Sequence, residues 1–121
     1  MGRIIHVEIV AEDHNRAAAF YTKVFGWQVT PAPVPDGYLL AETGPGEGID
    51  GAIMSSRYQS QPTIAWLEVD DLEATLAAAA EAGGDQVGEI QELPGVGRLS
   101  YLRDTEGVLI GLRQRSSARP R

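Results

Sequence analysis

Residues 11–29 (AEDHNRAAAFYTKVFGWQV) and 69–87 (VDDLEATLAAAAEAGGDQV) align without a gap at an offset of 58. The identical pairs are Asp13/Asp71, Ala19/Ala77, Gly26/Gly84, Gln28/Gln86 and Val29/Val87. In alanine-rich text five identities are a weak signal, but the punctuation also repeats. Each window runs from acidic residues through a helical stretch to a glycine and then into a β-like run. The offset is close to half of the 121 residues. A chain built this way is expected to fold as two similar modules in tandem, and other topologies are constrained accordingly.

Each module reads as βαβββ. Residues 3–10 (RIIHVEIV) are β-branched and alternate Ile5, Val7 and Ile9 against His6, Glu8 and Val10, the pattern of a strand. Asp13 is placed to cap a helix running to Phe25, with Ala17, Phe20, Tyr21 and Val24 as one apolar stripe facing the sheet. Phe25 belongs with this helix-to-sheet packing, Trp27 after the glycine is structural, and His14 is assigned to the surface. Gly26 stops the helix because glycine takes the left-handed cap without a Cβ penalty. Strands are expected at 27–31, 37–43 and 49–55, separated by Pro31, Pro33, Pro35 and by the glycine-rich residues 44–51. The second module repeats the order: a strand at 63–69, a helix to Ala82 stopped by Gly83-Gly84, and strands at 86–90, 98–103 and 108–113. Asp70 and Glu73 have the spacing of a capping box for the second helix. Residues 116–121 (SSARPR) read as a flexible tail.

Charge narrows the partners. Residues 1–112 hold six basic against seventeen acidic side chains, a net of −11, while Arg113, Arg115, Arg119 and Arg121 crowd the last nine positions. Such a body repels a phosphate backbone, so nucleic acid is not an expected partner. The absence of cysteine excludes a disulfide scaffold, thiol catalysis, an iron–sulfur cluster and Cys-based zinc. No apolar run approaches a membrane span, and the N-terminal residues carry no signal-peptide core, so a cytoplasmic location is the expectation. The glycine clusters at 44–48 and 95–97 precede strands, not helices, and read as turns rather than phosphate cradles.

Two βαβββ modules, with AFYTKVFGW closing the first helix, VDDLEA…GG opening and closing the second, and DTEGVLIGL at the end, resemble the vicinal oxygen chelate superfamily of glyoxalases, bleomycin resistance proteins and extradiol dioxygenases. The resemblance covers residues 3–114. It implies an α+β fold in which two modules, about 3–56 and 62–114, form an incomplete barrel-like mixed sheet around a cleft within one domain, 1–115. It also implies a small organic molecule as partner and a homodimer as the assembly. In the metalloenzymes of that group, donors come from the first and last strands of each module. Carried onto this chain, those positions are His6, Met54, Ile64 and Gly111, so one donor of four remains. No resident cofactor is expected on this count, and a divalent metal stays open only for an atypical site of His6, Glu8 and Glu68.

Other residues draw interest by type and position. Glu8 and Glu68 sit in the middle of apolar strands, where a dry core rarely carries charge. They are candidates, with His6, for acid–base work or for binding a cation, and Glu68 has an alternative as the ion-pair partner of Arg113. Tyr38, Met54, Ile64, Trp66, Tyr101, Gly111 and Arg113 are the candidate lining of a ligand cleft, with Trp66 as a platform for a flat molecule. The readings that follow are a small-molecule-binding protein without the usual metal, a lyase, isomerase or dioxygenase using an atypical site around His6, and a metal-free acid–base enzyme using His6 with Glu8 or Glu68. A structural or regulatory dimer is the third class.

Overall fold

The computed structural model describes residues 2–33 and 36–116. It resolves into two compact units, one holding Ile5–Ala65 and the other Trp66 onward with the residues before Ile5. Residues 117–121 of the expected tail, and Pro35 of the proline segment, lie outside the described residues.

In the first unit the elements are β1 (Arg3–Ala11), α1 (His14–Phe25), β2 (Gln28–Pro31), β3 (Tyr38–Glu42) and β4 (Gly51–Ser55). The strands lie in the order β2-β3-β4-β1. β1 runs parallel to β4, with Glu8 opposite Ala52 and Val10 opposite Met54. β3 is antiparallel to β4, with Leu40 opposite Ala52 and Tyr38 opposite Met54. α1 packs chiefly on β4.

The second unit follows with β5 (Thr63–Val69), α2 (Leu72–Glu81), β6 (Asp85–Leu93), β7 (Gly97–Arg103) and β8 (Leu109–Arg115). Its strands lie in the order β5-β8-β7-β6. β5 is parallel to β8, with Trp66 opposite Gly111 and Glu68 opposite Arg113. β7 is antiparallel to β8, with Tyr101 opposite Gly111. The two strand orders are the same order, module by module, so the fold is α+β with two βαβββ modules. β6 and β8 run further than the sequence suggested, to Leu93 and Arg115, with a register shift between Val87 and Gln91.

The caps carry the duplication down to single atoms. Asp13 accepts from the Arg16 N–H at 3.0 Å, and Asp71, at the same offset of 58, accepts from the Ala74 N–H at 3.0 Å. The expected capping box of Asp70 and Glu73 does not form. Glu73 is held instead by a two-pronged ion pair with Arg98, which draws its carboxyl from 4.5 to about 2. Gly26 adopts the left-handed conformation at φ 73° and donates to the Thr22 carbonyl at 2.9 Å.

The buried faces of the two helices correct the expected stripe. α2 buries Leu72 and Leu76, which join Val69, Leu102 and Leu112 in the core of its module. The positions of α1 equivalent to Leu72, Leu76 and Ala79 are His14, Ala18 and Tyr21, and these, with Ala17, are the partly buried ones. The inward face is thus rotated from the expected one. Phe20, Val24 and Phe25 are 56, 54 and 59% exposed, and the surface reading of His14 is replaced by a half-buried one. Alanines bring this helix close to its sheet, while the aromatic side chains pack on one another. Tyr21 stacks on Trp27 at 4.7 Å between centroids, and Phe20 meets Tyr21 edge-on. Among the described residues no helix is long and apolar enough to cross a membrane.

Replacing Asp71 with alanine removes a real cap and is expected to cost about 1 kcal/mol, lowering Tm by about 3–6 °C. Asp70→Ala is expected to stay within about 0.5 kcal/mol of the parent. Urea and thermal unfolding of the pair measure both; equal effects would return the capping role to Asp70.

Candidate functional site

In the first module, His6, Glu8 and Val10 point to the same side of β1 by the strand's period of two. The register carries this side onto Ala52 and Met54 of β4 and onto Leu40 and Tyr38 of β3. Tyr38 starts one row away from Glu8 and two strands over, so its ring must pass above β4 to reach the carboxylate. Ala52 is the residue of β4 that stands opposite Glu8. The Tyr38 hydroxyl donates to Glu8 Oε2 at 2.7 Å and lies 3.2 Å from His6 Nε2. Three of the residues singled out in the sequence therefore form one chain, His6–Tyr38–Glu8. Glu8 is 2% exposed, while His6 and Tyr38 are half-buried. A carboxylate this deep is tolerated only when hydrogen-bonded, and the phenol supplies one such bond. Met54 and Ile64 are buried.

The second module holds a different constellation on the matching strands. Gly111 sits in β8 between Trp66 of β5 and Tyr101 of β7. The Trp66 and Tyr101 rings meet over it, 5.1 Å apart at 56°. A Cβ at Gly111 would clash with the indole of Trp66, with Cδ2, Cε2 and Cε3 as its nearest atoms. Glycine is required here for close approach, not for backbone angle. One row on, Glu68 accepts from Arg115 Nε at 2.7 Å and from Arg113 Nη2 at 3.4 Å. The hydrogen bond from Arg115 is the main reason that the Glu68 carboxyl is held below the usual 4.5. Burial opposes it, and the charges of both arginines add to it. Arg115 was not among the residues singled out. Its signal was the same period of two that placed Arg113, continued one step along a strand that was read as ending too early.

The register also separates positions that the resemblance treated alike. Met54 pairs with Val10, and Gly111 pairs with Trp66. At the offset of 58 the counterpart of Trp66 is Glu8 and that of Val10 is Glu68. Ala52, not Met54, is therefore the counterpart of Gly111, and Arg113 is the counterpart of Met54.

The residues at the metal-donor positions do not fit a divalent ion. His6 offers a nitrogen that already has Tyr38 beside it, Met54 and Ile64 offer no oxygen or nitrogen, and the indole of Trp66 lies where a side chain at 111 would go. A divalent site needs three or four such donors. In the alternative set, Glu68 is engaged by two arginines and Glu8 by a phenol. Among the described residues no three His, Cys, Asp or Glu side chains are grouped so as to hold an ion.

With this geometry in hand, comparison with known proteins adds the following. A family model described as "Glyoxalase/Bleomycin resistance protein/Dioxygenase superfamily" matches residues 3–112. A "Glyoxylase-like domain-containing protein" of Didymella fabae is 34% identical over 113 residues, covering 88% of each chain. A protein of Vibrio parahaemolyticus named "Probable lactoylglutathione lyase" is 31% identical over 130 residues, covering 97% of this chain and 94% of its own. The chain spans only 43% of the length of the mycobacterial relatives it also matches. Among solved structures, methylmalonyl-CoA epimerase from Mycobacterium tuberculosis superposes with a TM-score of 0.72 at 20% identity, over 94% of this chain and 88% of its own, a likeness of fold.

Two outcomes are expected. Gly111→Ala should destabilise by about 1–3 kcal/mol through overpacking, and Trp66→Ala should relieve it, giving a double-mutant coupling of at least about 0.5 kcal/mol; additive losses would remove the interlock. Because the carboxyls of Glu68 and Glu73 are drawn down on folding, the stability they add is complete above the usual 4.5 and is lost as pH falls, for Glu73 through about 2. Acid unfolding curves of Glu68→Gln and Glu73→Gln should therefore be flatter than the parent's below the usual carboxylate range.

Proposed function

Since the chain belongs to the Glyoxalase/Bleomycin resistance protein/Dioxygenase superfamily, we propose that it binds a small organic molecule on a strand face that carries one of its two constellations, without the metal of the group's metalloenzymes. The observation that carries the reading is the buried Glu8 carboxylate joined through Tyr38 to His6. A mid-strand carboxylate is an expensive group to bury, and a module that needed only stability would do better with an apolar residue there. The donor count at positions 6, 54, 64 and 111 supports binding without metal. The exposed Phe20, Val24 and Phe25 of α1 support the homodimer.

A second reading is favoured by the same chain of hydrogen bonds. The Tyr38 hydroxyl stands between a carboxylate and an imidazole, so a proton can pass between Glu8 and His6 through one phenol. A ligand with an acidic C–H near His6 would make the protein a metal-free acid–base enzyme.

Metal analysis of tag-free protein, followed by a thermal-shift screen of small molecules, tests the first reading. The expected result is less than stoichiometric metal and a Tm rise with at least one compound, weakened in Tyr38→Phe for a ligand on the first module or in Trp66→Phe for one on the second. Stoichiometric metal that disappears in His6→Ala would overturn it. Incubating any hit in D₂O separates the two readings. The enzyme predicts C–H exchange that drops about 100-fold or more in Glu8→Gln or His6→Ala, whereas a binding protein gives no exchange above buffer.

A further inference from the structure

In the second module two buried donors have no hydrogen-bond partner among the described residues, Trp66 Nε1 and Arg113 Nε. A third such atom, Arg98 Nε, faces the Glu92 carboxylate at 3.5 Å and is accounted for. The other two are not. Trp66 is 8% exposed, and its indole can only donate. Arg113 uses Nη2 on Glu68 and leaves Nε over. Buried N–H groups are nearly always paired, and one left open costs as much as a lost hydrogen bond.

The two residues stand on one face of the sheet. Trp66 lies opposite Gly111, and Arg113 is two residues further along β8 on the same side. A rise of about 3.3 Å per residue and a strand spacing of about 4.8 Å put their backbones about 8 Å apart, within reach of two long side chains converging on one group. That group must accept at more than one point. The surrounding charge decides its sign. Glu68 is already satisfied by Arg115 and Arg113, so the three side chains carry one net positive charge in an otherwise acidic body. The rings of Trp66 and Tyr101 supply an aromatic wall beside it.

We propose that the ligand of the binding reading above, on which this inference rests, is a small organic carboxylate with a flat apolar body. Its two oxygens take the N–H groups of Trp66 and Arg113 while its body lies against Trp66 and Tyr101. The preference runs against the net charge of the chain, which taken alone favours a cation. Two arginines against one carboxylate leave a local excess of one positive charge, which at a distance of a few ångströms outweighs carboxylates further off across solvent.

The chain has two tryptophans, so its ¹H–¹⁵N spectrum has two indole N–H signals, assigned by Trp66→Phe, with Trp27 as an internal control. Sodium benzoate is titrated in, with benzyl alcohol and benzylammonium chloride as neutral and cationic matches. Benzoate is expected to move the Trp66 signal saturably and leave Trp27 in place, while the other two do not move it. Arg113→Gln should weaken the benzoate response about tenfold, and Trp66→Phe, which keeps a ring and loses the donor, should weaken benzoate binding about fivefold. A Trp66 signal that moves as far with benzylammonium or benzyl alcohol overturns the carboxylate. So does a Trp66 signal that stays fixed while a compound from the thermal screen binds elsewhere; the binding reading then stands. If that screen also finds no binder, both fall.

Discussion

The second module is organised around the absence of a side chain at Gly111. With no Cβ there, the indole of Trp66 lies down across β8 and meets the ring of Tyr101 on the far side. Three strands are thereby joined on one face by two side chains over a glycine, in addition to the backbone ladders that pair them. The same step buries the indole N–H. It also fixes the side on which Glu68, Arg113 and Arg115 stand, since each is an even number of residues from Trp66 or Gly111. The packing of the two rings on this face follows from one missing methyl group.

The first module answers the same topological problem differently. At the register position equivalent to Gly111 it has Ala52, and the aromatic that crosses the last strand is Tyr38 rather than a tryptophan. A phenol ends in a group that both donates and accepts, so it can join a carboxylate to an imidazole, which an indole cannot. Duplication supplied two copies of one scaffold. Which chemistry each copy carries was set by the size of the residue on its last strand and by the polar end of the ring that crosses it.

The order of strands and helices could be read from the sequence because periodicity, capping aspartates and stop glycines are local signals. The repeat was the most informative of them. It paired Asp13 with Asp71 and thus held the correct second cap, whereas the capping-box spacing of Asp70 and Glu73 did not survive in the presence of Arg98, a residue brought in from β7. The helical stripe of α1 misled for a related reason. Phe20 and Val24 are apolar and correctly spaced, but the inward face is set by the sheet beneath, and alanines fit it more closely. Site residues were legible by type, while their partners were not. Glu8, Tyr38 and His6 each drew attention alone, but that they form one chain depends on a three-strand register that no local pattern encodes.

The bare position at 111 and the indole that covers it are one arrangement, not two. A carboxylate at position 111 would require the Trp66 indole to leave, and an indole at position 66 requires position 111 to stay bare. Neither residue can change by itself without a clash or a void, because a well-packed interior tolerates added and removed volume poorly in either direction. Placing larger side chains one at a time along this strand pair therefore passes through destabilised chains. The pairing of a bare residue with the ring that covers it defines this face of the module more firmly than the identity of either residue alone.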